Sequence, residues 1–151
     1  MASKKRPRLQ AVHVSTGAML HLTFANGEQF SLDLSSDIKT YPGLKPLAKP
    51  KAFSGVVLGD AGWTVEWPDL DIQIGADTLF LEALAQAAPD ENTRIFIRWR
   101  LRHRMTLDQA AEALGVSPRS ISRYSGGREV VSRTLTLACL GWEALHEKKA
   151  A

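Results

Sequence analysis

The hydrophobic period of this chain changes once, near Asp77, and that change limits the folds open to it. Before it, apolar residues recur at every second position; after it, they recur at helical spacing. Strands first and helices afterwards cannot build the alternating strand–helix units of a parallel sheet. Such an order predicts an α+β protein, with a small, mostly antiparallel sheet domain followed by an all-α helical bundle. The 151 residues suffice for one domain or two small ones.

In the first half, Leu20, Leu22 and Phe24 alternate with Met19, His21 and Thr23. Asn26-Gly27 follows, and Phe30, Leu32 and Leu34 then alternate with Ser31 and Asp33. Alternation on both sides of Asn-Gly predicts a hairpin. Val12 and Val14 predict a strand before it. Residues 39–51 carry Pro42, Gly43, Pro46 and Pro50 among four lysines, which predicts a loop or a broken helical turn. Phe53–Leu58 and Trp63–Trp67 read as two strands around Gly59-Asp60-Ala61-Gly62, and Leu70–Ile74 as a short third. Asp77 is placed to cap a helix that carries Leu79, Phe80 and Leu84 and ends before Pro89. Residues 1–9 form an expected basic tail, 10–87 the sheet domain and 92–148 the helical one, with 87–92 as linker.

Within the helical part, residues 106–127 read as two short helices joined by a tight turn. Thr106 can cap a helix Leu107–Ala113, and Ala110 and Ala111 leave room for another helix to cross closely. Gly115 suits the left-handed position that ends a helix, with Val116 buried beneath the turn. Ser117-Pro118 supplies a capping hydroxyl and a proline at the first helical position. Ile121 and Tyr124 are expected to face inward. Arg119, Ser120, Ser122 and Arg123 are expected to face outward, and Gly126-Gly127 to end the helix. This is the layout of a helix-turn-helix, which sets its second helix in the DNA major groove.

Charge divides along the same line. Residues 12–90 hold four basic and ten acidic side chains, whereas residues 94–133 hold nine arginines and three acids. Opposite signs suggest two units with different partners, and nucleic acid for the basic one. A second apolar pair on that unit's first helix, Ile97 and Leu101, lies off the face of Phe96, Trp99 and His103. It needs cover from the first domain or from a second chain, and a homodimer reading paired half-sites is the attractive form.

Residues 94–146 resemble the lambda-repressor/Cro-like helix-turn-helix family. The likeness rests on Ala111, Leu114-Gly115-Val116-Ser117, Ile121-Ser122-Arg123 and Gly127, with Phe96, Trp99 and Arg100 fitting the first helix. The stretch from Ser132 through Leu135, Ala138, Trp142 and Leu145 fits the closing one. Leu107 stands where that family often has Gln, and Ser125-Gly126-Gly127 where it usually has Glu-Arg-Gly. The resemblance implies that Arg119 and Arg123 touch base edges, whereas Ser117, Ser120 and Arg128 meet phosphates. Pro118 and Ser122 complete the expected DNA-binding surface. Double-stranded DNA is the implied partner. The family also has members that use this bundle only for protein contacts, so a protein-interaction module is the competing expectation.

Residues 10–84 resemble a small bacterial family of unknown function found alone or fused to a helix-turn-helix. The matching residues are Leu22-Thr23-Phe24-Ala25-Asn26-Gly27, Leu32-Asp33-Leu34, Gly43, Leu47, Phe53, Val65-Glu66-Trp67-Pro68 and Ile74-Gly75-Ala76-Asp77-Thr78-Leu79. The resemblance implies a compact α+β fold without known enzymatic activity. Some relatives are antitoxin-like, which implies a toxin-like or other protein partner for this half.

No enzyme chemistry stands out. Glu66, Asp69, Asp71 and Asp77 cluster in sequence and could hold a divalent ion, but turn and cap roles account for such residues more simply. His13, His21, His103 and His146 lack ligand spacing, so neither a zinc site nor a cofactor is expected. Cys139, the lone cysteine, sits in an apolar helix and reads as core, in keeping with a reducing cytoplasm. Trp63 and Trp67 share a predicted strand face and read as core. No apolar stretch reaches membrane-spanning length, and the basic N-terminus lacks the apolar segment of a secretory signal.

Overall fold

The computed structural model describes residues 7–150. The basic residues Lys4, Lys5 and Arg6 of the expected tail lie outside that range. Leu9, assigned to that tail by the sequence, is buried and opens the first strand. The chain forms two compact units, Met1–Ala83 and Leu84–Ala151.

The first unit contains two three-stranded antiparallel sheets where one was expected. In the first, β1 (Leu9–Ser15), β2 (Met19–Phe24) and β3 (Gln29–Asp33) follow one another as a meander. Its pairing follows the alternation in the sequence. Leu20 lies opposite Leu32 and Leu22 opposite Phe30, so the apolar positions of both strands share one face. At the Asn26-Gly27 turn, the Asn26 side-chain oxygen accepts the Glu28 backbone N–H at 3.0 Å.

Residues 35–53 form α1 (Ser35–Thr40), a 3-10 segment (Pro42–Ala48) and the single turn α2 (Pro50–Phe53). Here the expected strand Phe53–Leu58 is corrected. Pro50 starts a helical turn that ends on Phe53, and extended backbone resumes only at Val57. The second sheet is β4 (Val57–Gly59), β5 (Thr64–Trp67) and β6 (Ile72–Gly75). Leu70 belongs to a 3-10 turn instead of the strand proposed for it.

The two tryptophans do not share a strand face. Trp63 precedes β5 and is 39% exposed, with the Arg8 guanidinium 5.7 Å from its ring centroid. Trp67 is buried, and its indole N–H donates to the Phe53 carbonyl at 2.8 Å. Just before Trp63 the chain passes so close to β1 that a Cβ on Gly62 would sit 2.0 Å from the Leu9 carbonyl oxygen. With φ at +90° as well, only glycine fits there.

Both sheets contribute to one core, in which Leu20, Leu22, Phe24, Leu32, Val65 and Trp67 meet Leu79 of α3 (Ala76–Ala87). Phe24, Phe30 and Phe80 meet edge to face, with centroids 5.2 to 5.9 Å apart. Asp77 does not cap α3. It lies inside the first turn, where its carboxylate accepts the Thr78 backbone N–H at 2.9 Å.

The second unit is helical: α4 (Glu91–Arg102), α5 (Leu107–Leu114), α6 (Pro118–Ser125) and α7 (Arg133–Ala150). Phe96, Ile97 and Trp99 of α4 are buried together with Ala110, Ala111, Ile121, Leu135 and Cys139. Ile97 is fully buried and Leu101 half-buried, so this pair does not await a second chain. Among the described residues no helix is long and apolar enough to cross a membrane.

Asp90 caps α4 by accepting the Thr93 backbone N–H at 2.8 Å, and that bond holds its carboxyl below the usual aspartate range. A depressed carboxylate stabilises the fold above the unfolded pKa, near 3.9, and the contribution fades as pH falls through the folded value. Asp90→Ala is therefore expected to cost about 1 kcal/mol at neutral pH. The difference from wild type should shrink below the ordinary aspartate pKa, as measured by urea melts across pH.

Candidate nucleic-acid interface

Helices α5 and α6 are fixed by local chemistry that the sequence carries openly. Thr106 accepts the Gln109 backbone N–H at 3.1 Å, while the Gln109 side chain accepts the Thr106 N–H at 3.0 Å. This reciprocal box satisfies two donors that a helix start leaves free. Ala110 and Ala111 are buried, which lets another helix approach this side closely. Gly115 ends α5 at φ +71°, and its N–H reaches back to the Ala111 carbonyl. Ser117 accepts the Ser120 backbone N–H at 3.1 Å, and Pro118 takes the first helical position of α6.

The two sides of α6 then differ sharply. Ile121 and Ser125 are buried, and Tyr124 is half-buried with its ring edge-on to Phe96 at 5.8 Å. Ser117, Pro118, Arg119, Arg123 and Arg128 are exposed. Ser120 and Ser122 are half-buried, so both are less outward than expected. The Ser120 hydroxyl also lies 3.1 Å from that of Ser117.

Two contacts escaped sequence reasoning. Glu129 approaches Arg123 to 3.7 Å, both side chains being about half exposed. The chain returns it there after Gly126-Gly127, a geometry that helical spacing cannot signal. Arg100 is a brace, donating to the Met105 carbonyl at 3.1 Å and to the Ser125 hydroxyl at 2.9 Å. Ser125, where the resembled family usually has Glu, is thus the buried acceptor for an arginine on α4.

Other arginines also serve the fold. Arg94 donates to the Ala88 carbonyl at 2.7 Å, Arg133 to Asn92 at 3.3 Å, and Arg102 pairs with Glu143. Among the described residues, Arg98, Arg104, Arg119 and Arg128 have no ion pair. Bonds to neutral acceptors fix where Arg94 and Arg133 sit without cancelling their charge, and α6 with the turn after it presents Arg119 and Arg128 exposed and without an ion pair.

Elsewhere, polar residues are held by their neighbours. Thr64 donates to Glu66 at 3.4 Å, Asp69 lies in a 3-10 turn and Asp71 ends that turn at φ +53°. Among the described residues no three His, Cys, Asp or Glu side chains group to hold a metal ion. His13 and His21, eight apart in sequence, come opposite each other across β1 and β2. Both His21 ring nitrogens lie 2.8 Å from serine hydroxyls, those of Ser31 and Ser15. His103 and His146 both lie against Trp142. Burial, aided by Glu143, pushes the Cys139 thiol up to about 12 and leaves it a poor nucleophile.

The class these observations define is an α+β protein in which a two-sheet unit precedes a helical unit with a basic, exposed helix. The chain belongs to the family described as "Protein of unknown function (DUF2442)", which it matches over residues 9–85. It is also similar to the crystal structure of "Putative DNA Binding Protein NE0471" from Nitrosomonas europaea. That likeness has 34% identity and a TM-score of 0.58, and covers 95% of this chain and 91% of the other. No curated protein matches the chain.

Proposed function

We propose that the second unit is a lambda-repressor-like helix-turn-helix that binds double-stranded DNA in a sequence-specific manner, as in a bacterial transcriptional regulator. Helix α6 enters the major groove, and Arg119 and Arg123 reach base edges, where the guanidinium fork matches guanine O6 and N7. Ser117, Ser120 and Arg128 hold phosphates, with Pro118 and Ser122 lining the same surface. The acidic first unit is the half that holds a protein partner. The observation that carries this reading is the division of α6 into a buried side, Ile121 and Ser125, and an exposed side with Arg119 and Arg123. The likeness to the structure named "Putative DNA Binding Protein NE0471", which covers 95% of this chain, supports it.

Mobility shifts with genomic fragments test the proposal. Binding should be strongest at low salt. Neutralising about three phosphates predicts a loss of roughly 40-fold in affinity between about 50 and 200 mM monovalent salt. Failure of the wild-type protein to bind any fragment at low salt would end the DNA reading. Capture of a protein by the bundle that survives nuclease treatment would then favour the protein-interaction module.

A further inference from the structure

Helix α7 is apolar on two opposite sides. One side packs inward: Leu135 and Cys139 are buried, and Trp142 lies edge-on to Trp99 at 5.5 Å. The other side carries Leu137, Leu140, Gly141, Ala144 and Leu145 at steps of one, three or four residues, and all five are exposed. The three leucines are 55%, 44% and 64% exposed. A helix with one buried side ordinarily turns polar residues outward, and grouped exposed leucines mark a surface that meets something else.

Gly141 sharpens the point. It lies inside an 18-residue helix, where glycine is disfavoured, and no positive φ requires it. A Cβ built there meets nothing within 4 Å, so no contact inside the chain requires its smallness either.

We propose that this side of α7 pairs with the same side of a second copy of the chain, antiparallel, about a two-fold axis at the level of Leu140 and Gly141. Reversal about that point sets Leu140 opposite the second copy's Gly141, and Leu137 opposite its Ala144. At both of these levels a bulky residue meets a small one. A parallel pair would set leucine against leucine and leave a gap at the glycines. The same reversal brings Arg133, exposed at one end of the stripe, beside the second copy's Glu147, exposed at the other. Antiparallel helices also oppose their dipoles favourably. The face is self-complementary in shape and in charge, as an isologous interface must be. One helix pair covers less than the roughly 800 Å² per partner of a standard stable interface, so association in the micromolar range is expected. The pairing does not depend on the DNA reading.

Sedimentation velocity on the full chain, from roughly 1 to 300 µM, should show monomer passing to dimer. Gly141→Leu should fill the space that the second copy's Leu140 occupies and stay monomeric. Because that site is open within the chain, the same variant should melt roughly 2–4 °C higher at the dilute end. Leu140→Lys should also stay monomeric, with an unchanged helical circular dichroism spectrum. On mild oxidation, a mixture of Leu137→Cys and Ala144→Cys proteins should cross-link to each other, Cys139 being buried. A wild type that stays monomeric throughout, or a Gly141→Leu variant that dimerises as wild type does, overturns the proposal and leaves the face to another occupant. Leu137→Cys protein cross-linking to itself overturns the antiparallel arrangement.

Discussion

Replacing Arg119 and Arg123 together by alanine is expected to reduce binding of a selected DNA site to the level of random sequence, with the fold intact. Both side chains are exposed, so their removal leaves no cavity. A well-made bidentate arginine–guanine pair discriminates by about 1–3 kcal/mol, so losing two predicts an affinity drop between roughly 30-fold and 10⁴-fold. Fluorescence anisotropy with the selected site and with scrambled DNA separates this from a general charge effect. Arg98→Ala with Arg104→Ala removes equal charge elsewhere on the unit, and should weaken both DNAs alike. A double Arg119/Arg123 variant that keeps wild-type affinity would remove α6 as the reading helix. The Arg123–Glu129 contact refines the expectation. Exposed pairs of this kind contribute about 0–1 kcal/mol, so Glu129→Gln should raise DNA affinity by a small factor.

The largest effect on stability is expected at Trp67. Its ring is buried beside Phe53, with centroids 5.8 Å apart, and its N–H satisfies the Phe53 carbonyl inside the core. Trp67→Ala empties that volume and strands the carbonyl, at an expected cost of about 3–5 kcal/mol for the cavity alone. Trp67→Phe fills much of the space without restoring the hydrogen bond, and should recover part of the loss. The measurement is chemical denaturation followed by far-ultraviolet circular dichroism. The loss should fall on the transition that reports the first of the chain's two compact units, which holds Trp67. A change below 1 kcal/mol would mean that the α2–β5 junction does not hold this core together.

Local signals read well, and for a physical reason. Caps, turn glycines and helical spacing act over three or four residues, so the chemistry of Thr106, Gln109, Gly115, Ser117 and Pro118 specifies α5 and α6 without help from afar. The Leu20–Phe24 and Phe30–Leu34 alternation likewise specifies the register of β2 and β3, because a slip by one would turn the leucines to solvent. Where tertiary contacts choose between two local options, the reading failed. Phe53 has strand propensity but ends a helical turn, since Pro50 starts that turn and Trp67 takes its carbonyl. Trp63 has the parity of an inward strand residue but lies before the strand, where the Gly62 approach to Leu9 turns the chain. Asp77 has the chemistry of a cap but lies two residues past the cap position, Gly75.

The candidate site divides in the same way. The sequence alone determined that a capped, two-helix turn exists, that Ile121 anchors it and that Arg119 and Arg123 stand on its outer side. Each of these follows from forces acting within one or two turns of helix. Only the tertiary structure decided which charges remain free, because an arginine's partner is set by chain segments far apart in sequence. It turned Arg100 inward onto Ser125, brought Glu129 back to Arg123 and buried Ile97. It also left the leucines of α7 exposed, because a helix with apolar residues on two sides does not say which side meets its own chain.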